Sequence, residues 1–136
     1  MGKSSEFQAI QTLAAPQAIG PYSQAIAVDH PGRWVFLSGQ VALDPVTGVL
    51  LAGDVAAQTE RAMLNLQAVV REAGGELKDL VKVGIFLADI NDFTVVNQVY
   101  GRFVQQPYPA RATVQVARLP RDAAVEVDGI AWIAAK

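Results

Sequence analysis

Two residues near the C-terminal end of the chain have the types and surroundings that acid–base chemistry requires. Arg111 follows Pro109, whose ring stiffens the backbone, so the planar guanidinium can be held ready for a carboxylate. Glu126 alternates with Val125 and Val127, and a carboxylate on a sheet face needs water or a partner. The pair predicts a site for a small organic acid, with an anion anchor and a general base.

The rest of the composition restricts the chemistry. The chain has no cysteine and a single histidine, His30, which precedes Pro31 in a turn. Thiolate catalysis, zinc–cysteine sites, histidine metal clusters and Ser-His-Asp triads are therefore excluded, and we expect neither a metal nor an organic cofactor. The net charge is -2 and the 11 Lys and Arg residues are dispersed, which disfavours nucleic acid as a partner.

Length and composition indicate one domain over residues 1–136. The start, Met1 to Glu6, lacks the apolar region of a signal peptide, and no stretch approaches the ~20 apolar residues of a membrane span. We therefore expect a cytoplasmic protein that does not bind membranes. The charged fraction is only 18%, so some apolar surface is expected to be buried against another subunit.

Periodicity and turn signals predict an α+β sandwich in which two helices cover one face of a mixed sheet of about six strands. Asp54 is the expected N-cap of the first helix, and Asn91 or Asp92 that of the second. The uncovered face, which has few charges, predicts association of identical chains. Strands are expected over 7–13, 23–29, 34–38 and 80–88 and from Arg111 and Val125 onward, and helices over 55–73 and from 91 or 92 to about 104.

Five blocks of the sequence resemble the RidA/YjgF family of enamine/imine deaminases. They occur in the family's order between Leu13 and Ala131, so the resemblance covers nearly the whole chain as a single domain of this kind. The blocks are Ile19-Gly20-Pro21-Tyr22-Ser23-Gln24-Ala25, Ser38-Gly39-Gln40, Asn91-Asp92-Phe93 through Asn97 and Tyr100, Pro109-Ala110-Arg111, and Val116-Ala117-Arg118-Leu119-Pro120 with Val125-Glu126-Val127.

The resemblance implies a chorismate-mutase-like fold assembled as a homotrimer, with a pocket in each cleft between subunits. It also implies hydrolysis of reactive 2-enamino and 2-imino acids, such as 2-aminoacrylate and 2-aminocrotonate, to 2-keto acids and ammonia. Matched position by position, the implied pocket residues are Tyr22, Ser38, Gly39, Asn97, Arg111 and Glu126.

Two positions depart from the family pattern. Thr113 stands where the family often has a cysteine, and Gln115 where it usually has an acid. Thr113 cannot supply a thiolate, but it retains the backbone groups of that position and stays among the implied catalytic residues. The segment from Phe103 to Tyr108 is also a few residues shorter than the pattern, which predicts a changed pocket rim.

Each site residue also has a simpler interpretation. Arg111 could close a strand end in a surface ion pair, Glu126 could be a solvated residue of an edge strand, and Asn97 could face solvent from mid-helix. Tyr22 could pack beside its turn, and Ser38 and Gly39 could merely end a strand. At the level of function, the alternatives are a non-catalytic sensor that binds keto acids and a single-strand RNA endonuclease or translation inhibitor.

Overall fold

The computed structural model describes residues 6–136, so most of the N-terminal segment used in the signal-peptide argument, Met1 to Ser5, lies outside the described residues. The order of elements is the expected one. The helices are α1 (Val55–Glu72) and α2 (Phe93–Gly101). The strands are β1 (Phe7–Ile10), β2 (Ala25–Val28), β3 (Gly32–Gln40), β4 (Leu80–Leu87), β5 (Ala110–Gln115) and β6 (Val125–Ala134).

The α+β class with two helices and a mixed sheet is confirmed, and the six strands divide into two sheets. The larger sheet has the order β3-β6-β4-β5, in which β4 and β5 are parallel and the other neighbours antiparallel. β1 and β2 form a separate antiparallel pair. An isolated bridge between Ser23 and Ala110 links the segment just before β2 to β5, and the Ser23 N–H donates to the Pro109 carbonyl there.

Several boundaries differ from the sequence prediction. β3 does not stop at Gly39 but continues to Gln40 through an irregularity between Leu37 and Gln40, where three steps on β3 match two on β6. The second helix starts at Phe93 and has no side-chain N-cap. Its entry is instead held by Asp89, whose carboxylate accepts the Asn91 N–H at 2.9 Å in the preceding turn.

Both helices pack on the same face of the four-stranded sheet. Alternate residues of β4 and β6 are fully buried there, because successive side chains of a strand point to opposite faces. The residues of this core include Ala62, Met63, Leu66 and Val70 of α1, Val96 and Tyr100 of α2, Leu37 of β3, Leu80, Val83, Ile85 and Leu87 of β4, and Val125, Val127 and Ala131 of β6.

The opposite side of the four-stranded sheet, which we call the open face, has no helix on it. Trp34 and Phe36 are 50% and 74% exposed there, and Glu126 and Asp128 alternate with core residues of β6 to reach the same side. The β1–β2 pair covers only one end, where Phe7 meets Trp132 with ring centroids 5.7 Å apart. No helix within residues 6–136 is long and apolar enough to cross a membrane.

The N-terminus of α1 provides a test of the helix assignment. Asp54 is extended, and its Oδ1 accepts the Ala57 N–H at 2.9 Å, as expected for an N-cap. We expect Asp54→Ala to lower the free energy of unfolding by about 0.5–2 kcal/mol in urea denaturation, since an N–H of the first turn loses its acceptor. Asp54→Asn should retain most of the stability, and Glu60→Ala on the same helix serves as the control. Equal stability of Asp54→Ala and wild type would refute the cap.

Candidate functional site

Arg111 is surrounded by aromatic rings and one amide. Its Nη1 donates a hydrogen bond of 2.7 Å to Oδ1 of Asn97. Its Cζ lies 5.4 Å from the ring centroid of Tyr22, 5.9 Å from that of Phe93 and 5.2 Å from that of Tyr100, within the range of cation–π attraction. We call these five residues the arginine enclosure. Two of the simpler interpretations do not hold, because Asn97 and Tyr22 both contact the guanidinium.

Three elements bring the enclosure together. β5 runs parallel to β4 with Arg111 in register with the core residue Val83, so the arginine side chain projects toward the helices. Phe93, Asn97 and Tyr100 have helical spacing and share the side of α2 that faces β5. Tyr22 is positioned by its neighbour Ser23, which is hydrogen-bonded to the segment at the start of β5. The Ser23 N–H donates to the Pro109 carbonyl at 3.1 Å, and the Ser23 hydroxyl donates to the Tyr108 carbonyl.

The charge of Arg111 is not paired with an opposite charge in the part of the chain that the structure describes. Within residues 6–136 no carboxylate forms an ion pair with it, so it is not a strand-end ion pair. Burial lowers the pKa of Arg111, an effect that the neighbouring hydroxyls of Tyr100 and Tyr22 partly oppose. An arginine nevertheless stays protonated at neutral pH. The enclosure therefore presents a half-buried, oriented cation that can accept an anion.

Two hydroxyls in this part of the molecule also lack partners. Tyr100 Oη and Thr113 Oγ1 are the buried side-chain polar atoms without a hydrogen bond in the described chain. Thr113 follows Arg111 by two positions on β5 and therefore shares its face, and the Tyr100 ring packs against the guanidinium. Burial raises the pKa of Tyr100, so its hydroxyl stays protonated. Since buried polar groups are rarely unpaired, both hydroxyls set this region apart from an ordinary core.

Glu126 belongs to a second group of predicted residues, on the open face. β6 lies between β3 and β4, so Glu126 is not on an edge strand, and it is half-buried. Its carboxyl group lies directly over Gly39: a Cβ built on that glycine would lie 2.7 Å from the carboxyl carbon. The bulge at Ser38 and Gly39 takes both residues out of the regular ladder with β6. Ser38, Gly39 and Glu126 are thus brought together.

The arginine enclosure and the residues around Glu126 do not meet within one chain. Arg111 is in register with the core residue Val83 and faces the helices. Glu126 lies between the core residues Val125 and Val127 and therefore faces the other way. The predicted anion anchor and the predicted base project from opposite faces of the same sheet.

Gln115, one of the departures from the family pattern, has a structural role. Its Oε1 accepts the Ile90 N–H at 2.8 Å, in the turn that leads into α2. An amide oxygen and a carboxylate can both accept this hydrogen bond. The site therefore keeps the support of the helix that carries Asn97 even though the acid is absent.

Phe93 and Tyr100 were not predicted as site residues. Both appeared in the sequence as members of the apolar side of α2, which is a pattern typical of core packing. The available signal was their spacing around Asn97, at four positions before it and three after it, which puts them on the same helix face as an implied site residue.

A family model described as endoribonuclease L-PSP matches residues 12–133. The chain belongs to the RidA/YjgF family. Protein DfrA of Myxococcus xanthus is 53% identical over 124 residues, covering 91% of this chain and 94% of that protein. A 2-iminobutanoate/2-iminopropanoate deaminase of Bos taurus is 46% identical over 122 residues, covering 90% and 87%. The crystal structure of RidA from an Antarctic Psychrobacter matches with a TM-score of 0.71 and 45% identity, covering 93% of this chain and 99% of that one.

Gly39→Ala tests the placement of Glu126. The added Cβ would overlap the carboxyl group, so we expect the carboxyl carbon to move by about 1 Å in a crystal structure of the variant, restoring contacts of about 3.5–4.0 Å. Gly101→Ala is the matched control, because the nearest atom to a Cβ there is 3.9 Å away. An unmoved Glu126 over an unmoved backbone at position 39 would contradict the described packing.

Tyr100→Phe tests whether the buried hydroxyl has a partner. Since the phenol oxygen has no hydrogen bond, its removal should leave the free energy of unfolding unchanged or raise it by up to about 1 kcal/mol in urea denaturation. Tyr100→Leu, which removes the ring beside Arg111, should lower stability because a large buried side chain is truncated. A clear loss of stability in Tyr100→Phe would show that the hydroxyl is bonded in the folded protein.

Proposed function

We propose that this protein hydrolyses 2-enamino and 2-imino acids of the 2-aminoacrylate and 2-aminocrotonate type to 2-keto acids and ammonia. The observation that carries the proposal is the Arg111 guanidinium, which rings and an amide hold and which no carboxylate of residues 6–136 neutralises. The family supports it, since relatives that share 43–47% of their residues with this chain bear the name 2-iminobutanoate/2-iminopropanoate deaminase.

Arg111 would bind the substrate's carboxylate. Asn97 takes one hydrogen bond from the guanidinium and fixes its plane, and the remaining N–H groups suit the fork of a carboxylate. Binding there holds the adjacent imine carbon in one place, which is the positioning that a hydrolysis needs. Tyr22 would form a wall of the pocket, and the Thr113 hydroxyl would be a donor beside the bound acid.

Glu126 would activate the water, and a second copy of the chain would supply it. Arg111 and Glu126 face opposite sides of one sheet, so their union requires that the open face of one chain packs beside the arginine enclosure of its neighbour. Trp34 and Phe36 give that face the exposed apolar area expected of an interface. A homotrimer with a pocket in each cleft meets this requirement, with Ser38 and Gly39 lining the neighbour's side.

The reaction needs no reactant other than water. The enamine first becomes the protonated imine by taking a proton from solvent at its terminal carbon. Water then adds to the imine carbon while one of its protons passes to the Glu126 carboxylate, a transfer of the kind that contributes about 10²–10⁴-fold in rate. The nitrogen takes that proton back, the C–N bond breaks and ammonia leaves, while the remaining hydroxyl proton returns to solvent and the oxygen becomes the keto group. The keto acid remains on Arg111, and Glu126 is again a carboxylate.

Subunit mixing tests the roles and the shared site together. Arg111→Ala should abolish hydrolysis of 2-aminoacrylate, followed by its absorbance decay in a coupled dehydratase reaction, and Glu126→Gln should lower kcat more than it weakens keto-acid binding. When the two inactive variants are unfolded and refolded together in equal amounts, about a quarter of the pockets in a ring of like interfaces regain both residues. Activity should recover to about that fraction of wild type.

Each expected result of the mixing experiment has a control or an outcome that would contradict it. Variants refolded separately and then combined without exchange are the control and should stay inactive. No recovery in the mixed sample, with assembled protein present, would show that the pocket is not shared. Wild-type turnover by Arg111→Ala would refute the anchor, and keto-acid binding without any turnover by the wild type would favour a sensor.

A further inference from the structure

A cavity of about 500 Å³ lies next to the arginine enclosure. It opens between the end of β1, the loop that precedes β2 and the segment just before β5, and its volume is within the usual range for small-molecule sites. Arg111 does not line it. The cavity is therefore a separate compartment from the anion site.

The two compartments have a common wall. Gly20 and Tyr22 line the cavity, and both also border the enclosure. The Tyr22 ring lies 5.4 Å from the Arg111 Cζ, and a Cβ built on Gly20 would lie 3.8 Å from Nδ2 of Asn97. An extended chain advances about 1.2 Å per bond, so a side chain of four or five heavy atoms spans roughly 5–6 Å, which is comparable to the thickness of this wall as measured from the guanidinium to the Tyr22 ring.

The wall on the cavity side is held by one glutamine. The Gln24 Oε1 accepts the Thr12 N–H at 2.7 Å, and its Nε2 donates to the carbonyls of Pro16 and Thr12 at 2.6 and 3.1 Å. These bonds cross-link the loop of residues 12–24, although much of that loop is exposed. The cavity is thus formed by the fold before any ligand binds.

The lining of the cavity combines apolar side chains with neutral polar ones. Three further glutamines, Gln11, Gln17 and Gln106, line it together with Tyr108, and among residues 6–136 no Asp, Glu, Lys, Arg or His does. Glutamine amides offer both donors and acceptors. A charged group entering here would lose part of its water without gaining a counter-charge from this lining, whereas a neutral amide could exchange its hydrogen bonds.

We infer that this cavity receives the substrate's side chain and selects 2-imino acids with an uncharged, amide-sized side chain over those with a carboxylate of the same size. The inference rests on the proposed function, because it takes Arg111 as the anchor of the substrate's carboxylate. It extends the substrate class beyond the one- and two-carbon side chains attached at the imine carbon of 2-aminoacrylate and 2-aminocrotonate.

The glutamine- and glutamate-derived acids make a matched pair, equal in heavy atoms and different in charge. The imino acids would be generated in solution by an L-amino-acid oxidase from glutamine, glutamate and alanine, and keto-acid formation followed with and without the protein. We expect kcat/KM for the glutamine-derived acid to exceed that for the glutamate-derived acid by roughly tenfold. Binding of the stable keto acids 2-oxoglutaramate and 2-oxoglutarate, measured by calorimetry, should show the same order.

Positive charge added to the cavity should cancel this preference. Gln17→Lys places a cation at the lining, so the ratio of glutamate-derived to glutamine-derived kcat/KM should rise roughly tenfold. Gln8→Lys is the matched control: Gln8 is exposed on β1 and does not line the cavity, so the ratio should not change. Equal kcat/KM for the two acids in the wild type, or equal shifts of the ratio in both variants, would overturn the inference.

The two proposals can fail separately. If the alanine-derived acid is hydrolysed and the paired acids are not distinguished, the cavity inference fails and the deaminase proposal stands. If no imino acid is hydrolysed, the deaminase proposal fails. The calorimetric comparison of the two keto acids still decides whether the cavity distinguishes an uncharged side chain from a charged one. Equal affinities of those keto acids in that case would overturn the cavity inference as well.

Discussion

A half-buried positive charge without a negative partner among the described residues is the constraint on which the rest of the candidate site depends. Removing a guanidinium from water is costly, and an ion pair would offset that cost. Here the compensation comes from three ring faces and the Asn97 oxygen, whose attraction is weaker than that of a carboxylate. The fold therefore gives up stability at Arg111, as expected for a position kept for ligand binding rather than for packing.

The surroundings keep that arrangement in place. The parallel pairing of β4 and β5 points Arg111 toward the helices, and the Gln115 amide and the Asp89 carboxylate both hold the chain that enters α2. On the open face, a glycine in a bulge gives space to the Glu126 carboxyl group. Both halves of the candidate site depend on backbone geometry set by neighbours in the fold, as a precisely placed functional group requires.

Much of this was predictable from the sequence, and the exceptions have physical causes. Alternation predicted that Glu126 would point away from the core, and turn and cap signals predicted the limits of α1. The division of the strands into two sheets was not predictable, because it depends on which strands meet in space and not on their periodicity. The position of Tyr100 beside Arg111 was not predictable for a similar reason. A buried tyrosine in an apolar stripe has the same sequence pattern whether its ring packs on a leucine or on a guanidinium.

The placement of Arg111 and Glu126 on opposite faces has a consequence for how activity depends on the concentration of the protein. If each pocket takes one residue from each of two chains, an isolated chain is completely folded and yet inert. Near the dissociation constant of the assembly, the number of working pockets then rises more steeply than the first power of the total chain concentration. A modest change in expression would in that range act as a sharp control of turnover, without any effector and without a change in the folded chain.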